Sequence, residues 1–277
     1  MTRPAFSQVR NAMACLPDDP RLRELYLLQM REERDRTGLF VVDGLRPVTQ
    51  ALQLQAQIEY VFIAPQALSH PVGQRALREA RARGIPILSL THEQYGSLSS
   101  AEEPQGLGAV VRQSWEPLHG VRPSRGLCWV AVESVQFPGN LGTIIRTSDA
   151  VGGAGLILIG DNADPYDPST VRASMGALFN QRFVRTGQIE FAEWKRRRQC
   201  TLVGTSLTAR EDYRNATYPR PTIVLMGNER RGLSEQMRAL CDMQVKIPVV
   251  GRSDSLNVAV ATGIMLYELF HQQRTTR

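Results

Sequence analysis

The chain has 277 residues, of which 42% are hydrophobic and 22% are charged. These proportions are typical of a globular protein and exclude a disordered or collagen-like chain. The length allows one large or two ordinary domains. No apolar run is as long as a membrane span, and the first residues lack the apolar core of a signal peptide. We therefore expect a cytoplasmic protein that has no membrane partner.

The chain is basic, and its charge is unevenly distributed. The net charge is +6, and only Lys195 and Lys246 among the 33 basic residues are lysine. Arginine suits bidentate recognition of phosphate, although codon usage in a GC-rich genome would give the same ratio. Residues 1–113 carry 13 basic and 12 acidic side chains, whereas residues 114–277 carry 20 and 15. A basic run such as 195–198 is usually a solvated face, but the distribution favours a nucleic-acid partner.

The residue types that bind metals are scattered along the chain. The four histidines lie far apart, and no two cysteines form a Cys-x-x-Cys pair. The cysteines are Cys15, Cys128, Cys200 and Cys241. This spacing predicts neither a metal site nor a disulfide framework. Free buried thiols are expected at Cys128 and Cys200, which fall in apolar runs.

The first part of the chain, residues 1–112, predicts a compact α/β domain. The expected elements are a helix at 22–38, a strand at 39–42, a helix at 48–54, a strand at 60–64, a basic helix at 71–83, a strand at 85–90 and a strand at 107–111. The Gly-x-Gly sequence at 106–108 lacks a third glycine and a following helix, which excludes a dinucleotide-binding fingerprint. Residues 113–126 contain two prolines, two glycines and no periodicity, so they predict a linker.

Strand and helix signals alternate through residues 127–277. Strands are predicted at 127–134, 155–159, 182–185, 200–205, 222–226 and 243–249, and helices at 141–151, 168–179, 189–198, 233–241 and 256–272. Repeated strand–helix units predict a parallel sheet that is covered by helices on both faces. Ligands bind at the carboxyl ends of the strands in such sheets.

The first polar loop at a predicted strand end leads into the helix at 141–151. We expect Asn140 to cap this helix, because asparagine is a favoured capping residue. The periodicity directs Arg146 away from the buried face of the helix, so that its guanidinium can reach the loop region. Alternatively, Arg146 is a surface residue that pairs with Asp149, three positions further on.

The second and third polar loops follow later strands. In the loop 227–232, Gly227 would let a ligand approach the backbone; alternatively, the loop is a β-turn rich in polar residues. The stretch 247–261 predicts a short apolar strand, a turn and a helix that starts near Ser255. Ser255 is either a simple cap of this helix or part of a ligand site on its free N–H groups. The helix is apolar nearly all round, which predicts burial in a core or in a subunit contact.

The polar groups of these loops are asparagine, arginine, glutamate and serine. They can position and activate a hydroxyl group, but they include no obvious covalent catalyst. The sequence has no Gly-x-Ser-x-Gly, Walker A or His-Glu-x-x-His motif.

The three loops resemble the three signature motifs of the SpoU/TrmH family of RNA ribose 2′-O-methyltransferases, in the SPOUT class. The matching patterns are Asn-x-Gly-x-x-x-Arg at 140–146, Met-Gly-Asn-Glu-x-x-Gly at 226–232, and Ile-Pro followed by Ser-Leu-Asn-Val at 247–258. The resemblance is close over 127–277. It is looser over 20–112, where residues 40–44 and 104–106 are similar to the substrate-binding domain of the family, although Asp43 stands where many relatives carry glutamate.

The resemblance implies a fold and an assembly. The C-terminal domain would be a parallel-sheet α/β SPOUT domain with a deep trefoil knot, an exception to the rarity of knots. A smaller α/β RNA-binding domain, similar to a ribosomal-protein module, would precede it. The active unit would be a homodimer in which the first motif of one subunit faces the site of its partner.

The resemblance also implies a cofactor and residue roles. S-adenosylmethionine would be bound, without any metal, by Thr205, Gly227, Ile247 and Leu256. Arg146 would be the catalytic arginine, acting on the target 2′-hydroxyl or its phosphate, and the pocket would be shaped by Asn140, Glu229, Ser255 and Asn257. An arginine has a pKa above ~12. We therefore favour electrostatic activation of the hydroxyl over proton abstraction by Arg146, with both left open.

Ribosomal RNA of the large subunit is the favoured substrate, because the additional N-terminal domain is similar to the arrangement in relatives that modify this RNA. One alternative is a tRNA 2′-O-methyltransferase. Another is a non-catalytic RNA-binding protein of the same fold in ribosome assembly, in which Arg146→Ala would be tolerated. A nicotinamide-dependent enzyme is excluded by the missing glycine fingerprint.

Overall fold

The computed structural model describes residues 19–99, 101, 103–252 and 254–275, without the side chain at 275. The chain divides into two compact units. The first contains residues up to 113 together with 166–172, and the second contains 114–165 and the residues from 173 onwards. The start of the predicted first domain and Cys15 lie outside the described residues.

The first unit is built on a four-stranded mixed sheet. Its elements are α1 (Pro20–Leu27), α2 (Arg31–Thr37), β1 (Leu39–Asp43), α3 (Leu45–Gln53), β2 (Ile58–Ile63), α4 (Pro71–Ala82), β3 (Ile87–Ser89), α5 (His92–Leu98) and β4 (Leu107–Arg112). The strand order is β1-β4-β2-β3. Strand β4 is antiparallel to both of its neighbours, whereas β2 and β3 are parallel. The predicted α/β character of this part of the chain is confirmed.

The predicted single helix from 22 to 38 is wrong, because the helix stops at Leu27 and a new one begins at Arg31. Met30 between them has an extended backbone. Arg34 is buried, and its guanidinium donates to the carbonyl oxygens of Leu28 and Gln29 at 3.0 and 2.9 Å. Since a break in a helix frees carbonyl groups, this buried arginine satisfies acceptors that a continuous helix would have used itself.

Helix α5 was not predicted, although its start carries a recognisable signal. Thr91 and Gln94 form a reciprocal capping box at its first turn, in the spacing typical of helix starts. The helix carries Tyr95, whose hydroxyl donates to the carboxylate of Asp43 at the end of β1. Ser99 donates to the other oxygen of the same carboxylate. Asp43 therefore fixes the end of β1 to α5 within this unit.

The second unit is built on a seven-stranded sheet. Continuing in chain order, the remaining elements are β5 (Trp129–Glu133), α6 (Pro138–Ala150), β6 (Gly155–Ile159), α7 (Pro168–Ser174), β7 (Arg182–Thr186), α8 (Gln188–Arg196), β8 (Thr201–Thr205), β9 (Glu211–Asp212), β10 (Thr222–Met226), α9 (Glu235–Leu240), β11 (Met243–Lys246) and α10 (Val258–Thr275). All of them lie in the second unit except α7, most of which belongs to the first. The strand order is β7-β6-β5-β10-β8-β11-β9, and every pair of neighbours is parallel. The predicted parallel sheet is confirmed.

The central strands of this sheet are buried on both faces. Every residue of β5, β6 and β10 is buried, as expected for continuous apolar strands between layers of helix. Leu118 and Val121, from the segment predicted as a linker, pack into the same core. The edge strand β9 was not predicted. Strand β11 ends at Lys246, three residues earlier than predicted, because Pro248 cannot donate to a ladder and Val250 is fully exposed.

The last helix, α10, packs against α6. Met265, Leu266 and Leu269 on its inner face are buried, but Val260 and Tyr267 are 53% and 54% exposed. The prediction of a helix buried nearly all round is therefore wrong within a single chain, and one apolar face is left at the surface. No helix in the described parts of the chain has the length and apolar character needed to cross a membrane.

Shortening a buried side chain of β10 should destabilise the second unit. Leu225 is fully buried in its core, so we expect Leu225→Ala to lower the free energy of unfolding by about 2–5 kcal/mol. Trp115, Trp129 and Trp194 all lie in this unit, so urea unfolding followed by tryptophan fluorescence reports on it. Ile189→Ala, at a 72% exposed position, should change the value by no more than about 0.5 kcal/mol. Equal losses in the two variants would contradict the assigned core.

Candidate active site

The polar loops meet at the carboxyl edge of the second sheet. Strands β5, β10, β8 and β11 are consecutive in the sheet, and their carboxyl ends lead into the segments 134–137, 227–232, 206–210 and 247–257. The three loops singled out in the sequence follow β5, β10 and β11. Strand β8, which ends at Thr205, lies between the latter two. Chain topology alone therefore brings the three loops to one edge, where parallel sheets bind their ligands.

Glu229 joins the first loop to the second. Its carboxylate accepts hydrogen bonds from the backbone N–H groups of Gln136 (3.1 and 3.2 Å) and Phe137 (3.1 Å), just before α6. The side chain of Asn140 donates to the same carboxylate at 3.0 Å. The free N–H groups at a helix start favour an anion, so the charge of Glu229 holds the second loop against the start of α6.

Asn140 extends this connection to the third loop. Its side-chain oxygen accepts from Nδ2 of Asn257 at 2.9 Å. Asn257 in turn caps α10, because its Oδ1 accepts from the N–H groups of Ala259 (2.8 Å) and Val260 (3.3 Å). Two predictions are corrected here. Asn140 does not cap α6, whose capping residue is Phe137, and Asn257, rather than Ser255, caps the last helix.

The surroundings of Glu229 alter its acidity. Burial is the largest single effect and favours the neutral acid. The carboxylate also accepts hydrogen bonds from Asn140, from the N–H groups of Gln136 and Phe137 and from its own N–H, and together these outweigh burial. The pKa of Glu229 therefore lies below its ordinary value. Because the pKa is lower in the folded state, Glu229 stabilises the fold above its ordinary pKa. This contribution is lost as the pH falls through the folded-state pKa.

The loop 227–232 is closed tightly on itself. Asn228 and Gly232 exchange backbone hydrogen bonds at 3.0 and 2.9 Å, and the side chain of Asn228 accepts from the N–H groups of Arg230 and Arg231 and donates to the carbonyl of Ser134. A Cβ atom on Gly227 would lie 2.2 Å from the backbone of Gly232. A glycine is therefore required at position 227 because the backbone of Gly232 packs directly against it. The sequence alone did not indicate this contact.

A cavity of about 380 Å³ opens beside this loop, within the range of small-molecule sites. Four of its lining residues, Thr205, Gly227, Ile247 and Leu256, are the predicted cofactor residues, and Glu229 and Ser255 also line it. The apolar part of the wall is formed by Leu207, Met226, Leu233, Ile247, Val249, Leu256, Val258 and Ala261. Such a wall suits a flat aromatic base. The polar part of the lining includes Ser206, Thr208, Asn228 and Asp254 together with three arginines, Arg230, Arg231 and Arg238.

A second cavity, of about 640 Å³, lies on the other side of the same loop and shares Asn228–Leu233 with the first. Its wall includes Glu133, which is buried at the end of β5. The two oxygens of Glu133 accept from Gln188 Nε2 (2.7 Å) and from the Ser234 N–H (2.9 Å). Glu133 therefore supports the far end of the loop, just as Glu229 supports its near end.

Arg146 is the predicted residue that the single chain does not bring into the site. It is exposed on α6 and lines neither cavity. Among the described residues its side chain has no hydrogen-bond or ion-pair partner, and the alternative pairing with Asp149 is not formed. Its charge is thus uncompensated.

Two structural roles in the site were missed by sequence reasoning. Asn228 was quoted within a motif without a role, although asparagine in a loop commonly accepts from the backbone N–H groups that follow it. This pattern could have assigned its turn. The role of Glu133 rests on Gln188 and Ser234, which are 55 and 101 residues away along the chain. No local pattern could have indicated it.

The fold and the site define an α/β protein with a cofactor-sized cavity at the carboxyl edge of a parallel sheet, preceded by a separate mixed-sheet unit. The family model for the SpoU rRNA methylase family matches residues 128–267, and the model for the MRM3-like substrate binding domain matches residues 19–109. The chain belongs to the SpoU rRNA methylase family.

Similar proteins extend over nearly the whole chain. A 23S rRNA (uridine(2479)-2′-O)-methyltransferase of Streptomyces viridochromogenes is 34% identical over 91% of this chain and 89% of its own length. The 23S rRNA (guanosine(2553)-2′-O)-methyltransferase RlmP of Bacillus subtilis is 26% identical over 87% of this chain and 92% of its own. The crystal structure of an AdoMet-bound rRNA methyltransferase from Sinorhizobium meliloti superposes with a TM-score of 0.83, at 35% identity, over 91% of this chain and 95% of that one.

The depressed pKa of Glu229 should depend on Asn140. We expect Asn140→Ala to raise the pKa of Glu229 towards its ordinary value, because the variant removes a hydrogen bond to the charged form. The midpoint can be followed by a carbon-13 NMR titration of the carboxyl group. Thr143→Ala is the control, because the side chain of Thr143 lies on the same helix but donates to the carbonyl of Gly139 and not to Glu229. An unchanged midpoint in Asn140→Ala would contradict the assigned contact.

Proposed function

We propose that this protein transfers a methyl group from S-adenosylmethionine to a ribose 2′-hydroxyl of large-subunit ribosomal RNA. The observation that carries the proposal is the chain of hydrogen bonds from Glu229 through Asn140 to Asn257. It joins all three family motifs beside a cavity of suitable size. Relatives that resemble the chain over both units act on 23S rRNA by name, which supports rRNA over tRNA. An rRNA substrate also favours a cytoplasmic location.

The first cavity is the proposed cofactor site. Thr205, Gly227, Ile247 and Leu256 would hold S-adenosylmethionine. The apolar wall suits its base, and the lining offers carboxylates and guanidinium groups for its charged groups. A related structure, AviRb of Streptomyces viridochromogenes in complex with AdoMet, has a TM-score of 0.83 at 32% identity over 94% of this chain and all of that one. When bound, the cofactor supplies an electrophilic methyl group. Asn140, Glu229, Ser255 and Asn257 are positioning residues that fix the wall of the site.

Arg146 is the proposed catalytic group, and it would act in the partner subunit of a homodimer. Two features support this arrangement: the guanidinium of Arg146 lies outside its own cavity, and α10 leaves an apolar face uncovered. This face carries Val260, Ile264 and Tyr267 at helical spacing. Helix α10 packs against α6, the helix that carries Arg146. Burial of such a face between two copies would compensate for its exposure and place α6 at the dimer contact.

The guanidinium would stabilise charge on the ribose oxygen. A free 2′-hydroxyl is a poor nucleophile, and an adjacent cation favours the alkoxide that develops during attack. Arginine stays protonated at neutral pH, so Arg146 would act by electrostatic stabilisation and by holding the hydroxyl or its phosphate in line. The proton then leaves to solvent or to a neighbouring acceptor.

The proposed deep trefoil knot would involve the same loops. The loop after β10 and the loop after β11 both contact the start of α6, through Glu229 and Asn257. A chain that is threaded through itself at this edge would hold these contacts together without any ligand. The parallel order β5-β10-β8-β11 supports this proposal.

Methyl transfer tests the function directly. We expect the full chain to transfer a labelled methyl group to protein-free large-subunit rRNA from cells that lack the protein, and not to tRNA from the same cells. Arg146→Ala should lower kcat on the order of a hundredfold to a thousandfold, while calorimetry finds the affinity for S-adenosylmethionine unchanged. Labelling of tRNA alone would overturn the rRNA assignment. Full function of Arg146→Ala in cells would favour the non-catalytic assembly role.

Subunit mixing tests the shared site. Arg146→Ala keeps an intact cavity, whereas Leu256→Arg should block the cavity but keep Arg146. If Arg146 acts in its partner, mixed dimers contain one complete site, and random mixing of equal amounts should recover about one quarter of wild-type activity. If Arg146 served its own cavity, mixing would recover nothing. Light scattering of each variant checks that the dimer is retained.

A further inference from the structure

A cluster of arginines lies at the opposite edge of the second sheet, where the proposed reaction does not use it. Arg122 and Arg125 come before β5, Arg220 comes before β10, and Arg196 and Arg198 come before β8. We call these five the amino-edge arginines. Strands β5, β10 and β8 are consecutive in the sheet, and neighbouring strands lie about 4.8 Å apart. The five residues therefore share one edge.

Two hydrogen bonds hold the cluster together. Arg198 Nη2 donates to the carbonyl of His119 at 3.0 Å, and Arg220 Nη2 donates to the carbonyl of Gly126 at 2.7 Å. These bonds tie the end of α8 and the residues before β10 to the segment that carries Arg122 and Arg125. Because both acceptors are neutral, neither bond removes a positive charge.

Two carboxylates near this edge form ion pairs with cations other than the amino-edge arginines. Asp242 Oδ2 lies 2.9 Å from Lys195 Nζ and accepts from the N–H of Leu202. Glu193 pairs with Arg197 at 3.8 Å. Arg122, Arg125 and Arg196 are exposed, and the described residues include no ion-pair partner for them. The edge therefore keeps an excess of positive charge.

We propose that the amino-edge arginines bind the phosphate backbone of a second segment of the substrate RNA, away from the methylated ribose. Guanidinium groups recognise phosphate bidentately, and uncompensated cations draw RNA by releasing its counterions. The large exposed apolar side chains of the described residues all lie outside the segments 114–127, 195–201 and 218–222, whereas the centre of a protein interface is normally apolar.

The distance from the cavity suggests a segment that is separate from the target. The strands between the two edges have five residues each, or roughly 15 Å at about 3.3 Å per residue. An RNA that is folded on itself can contact both ends of the same strands. The identity of this RNA as rRNA rests on the proposed function, whereas its binding through phosphate does not.

The salt dependence of RNA binding tests this proposal. Arg122→Gln/Arg196→Gln removes two charges from different strands. It should weaken binding to a protein-free large-subunit rRNA transcript roughly tenfold at ~0.1 M salt, and it should reduce the slope of log K against log salt by about 2. Arg185→Gln/Arg214→Gln is the matched control, because it removes two exposed arginines that lie outside the amino-edge cluster and outside the cavities, one on the edge strand β7 and one after β9. The affinity for S-adenosylmethionine should stay unchanged in both variants.

The outcomes separate this proposal from the function itself. An unchanged slope in the amino-edge variant, or an equal loss in the control, would overturn it. Normal binding to the transcript with weakened binding to ribosomal particles would indicate a protein partner and would also overturn it. If the double variant lost affinity and slope as expected, but the wild-type protein transferred no methyl group to this RNA, the phosphate-binding edge would stand and the proposed function would fail.

Discussion

The carboxylate of Glu229 is the group on which the geometry of the site depends. It accepts hydrogen bonds from two backbone N–H groups before α6 and from Asn140, which in turn binds Asn257 at the start of α10. Three segments that are distant along the chain are thereby held around one ionised group. Such networks are valuable only when every member is satisfied, and the lowered pKa of Glu229 indicates that the charged form is the satisfied one. The same residue lines both cavities, so the loop that carries it forms the wall between them.

The parallel sheet turns this local network into a site. Parallel strands place all their carboxyl ends on one edge, and here β8 brings Thr205 between the two strands that carry the second and third loops. The tight closure of the loop 227–232 uses Gly227, Asn228 and Gly232. The backbone of this loop is therefore shaped by its own contacts and provides a preformed wall for a ligand.

Much of this fold could be predicted from the sequence, because buried parallel strands are continuous apolar runs that stand out between polar loops. Of the four cofactor residues that the family resemblance implied, Thr205, Gly227 and Ile247 line one cavity because each lies at or just after a strand end, whereas Leu256 reaches it from the segment before α10. Predictions failed where a tertiary contact decides the local structure. The break between α1 and α2 depends on the buried guanidinium of Arg34, and the role of Asn140 depends on two partners that are 89 and 117 residues away. Helix α5 is different, because its capping box at Thr91 is a local signal that was overlooked.

The exposed position of Arg146 has a consequence for the timing of activity. Under the proposed assembly, a single chain holds the methyl donor but lacks the guanidinium that readies the acceptor, so a monomer is a complete binder and an incomplete catalyst. A newly made chain leaves the ribosome close to the kind of RNA on which it would act. It would remain inactive there until it forms a dimer with a second copy. At low protein concentration, the rate of modification in a cell would therefore rise more steeply than the concentration of the protein.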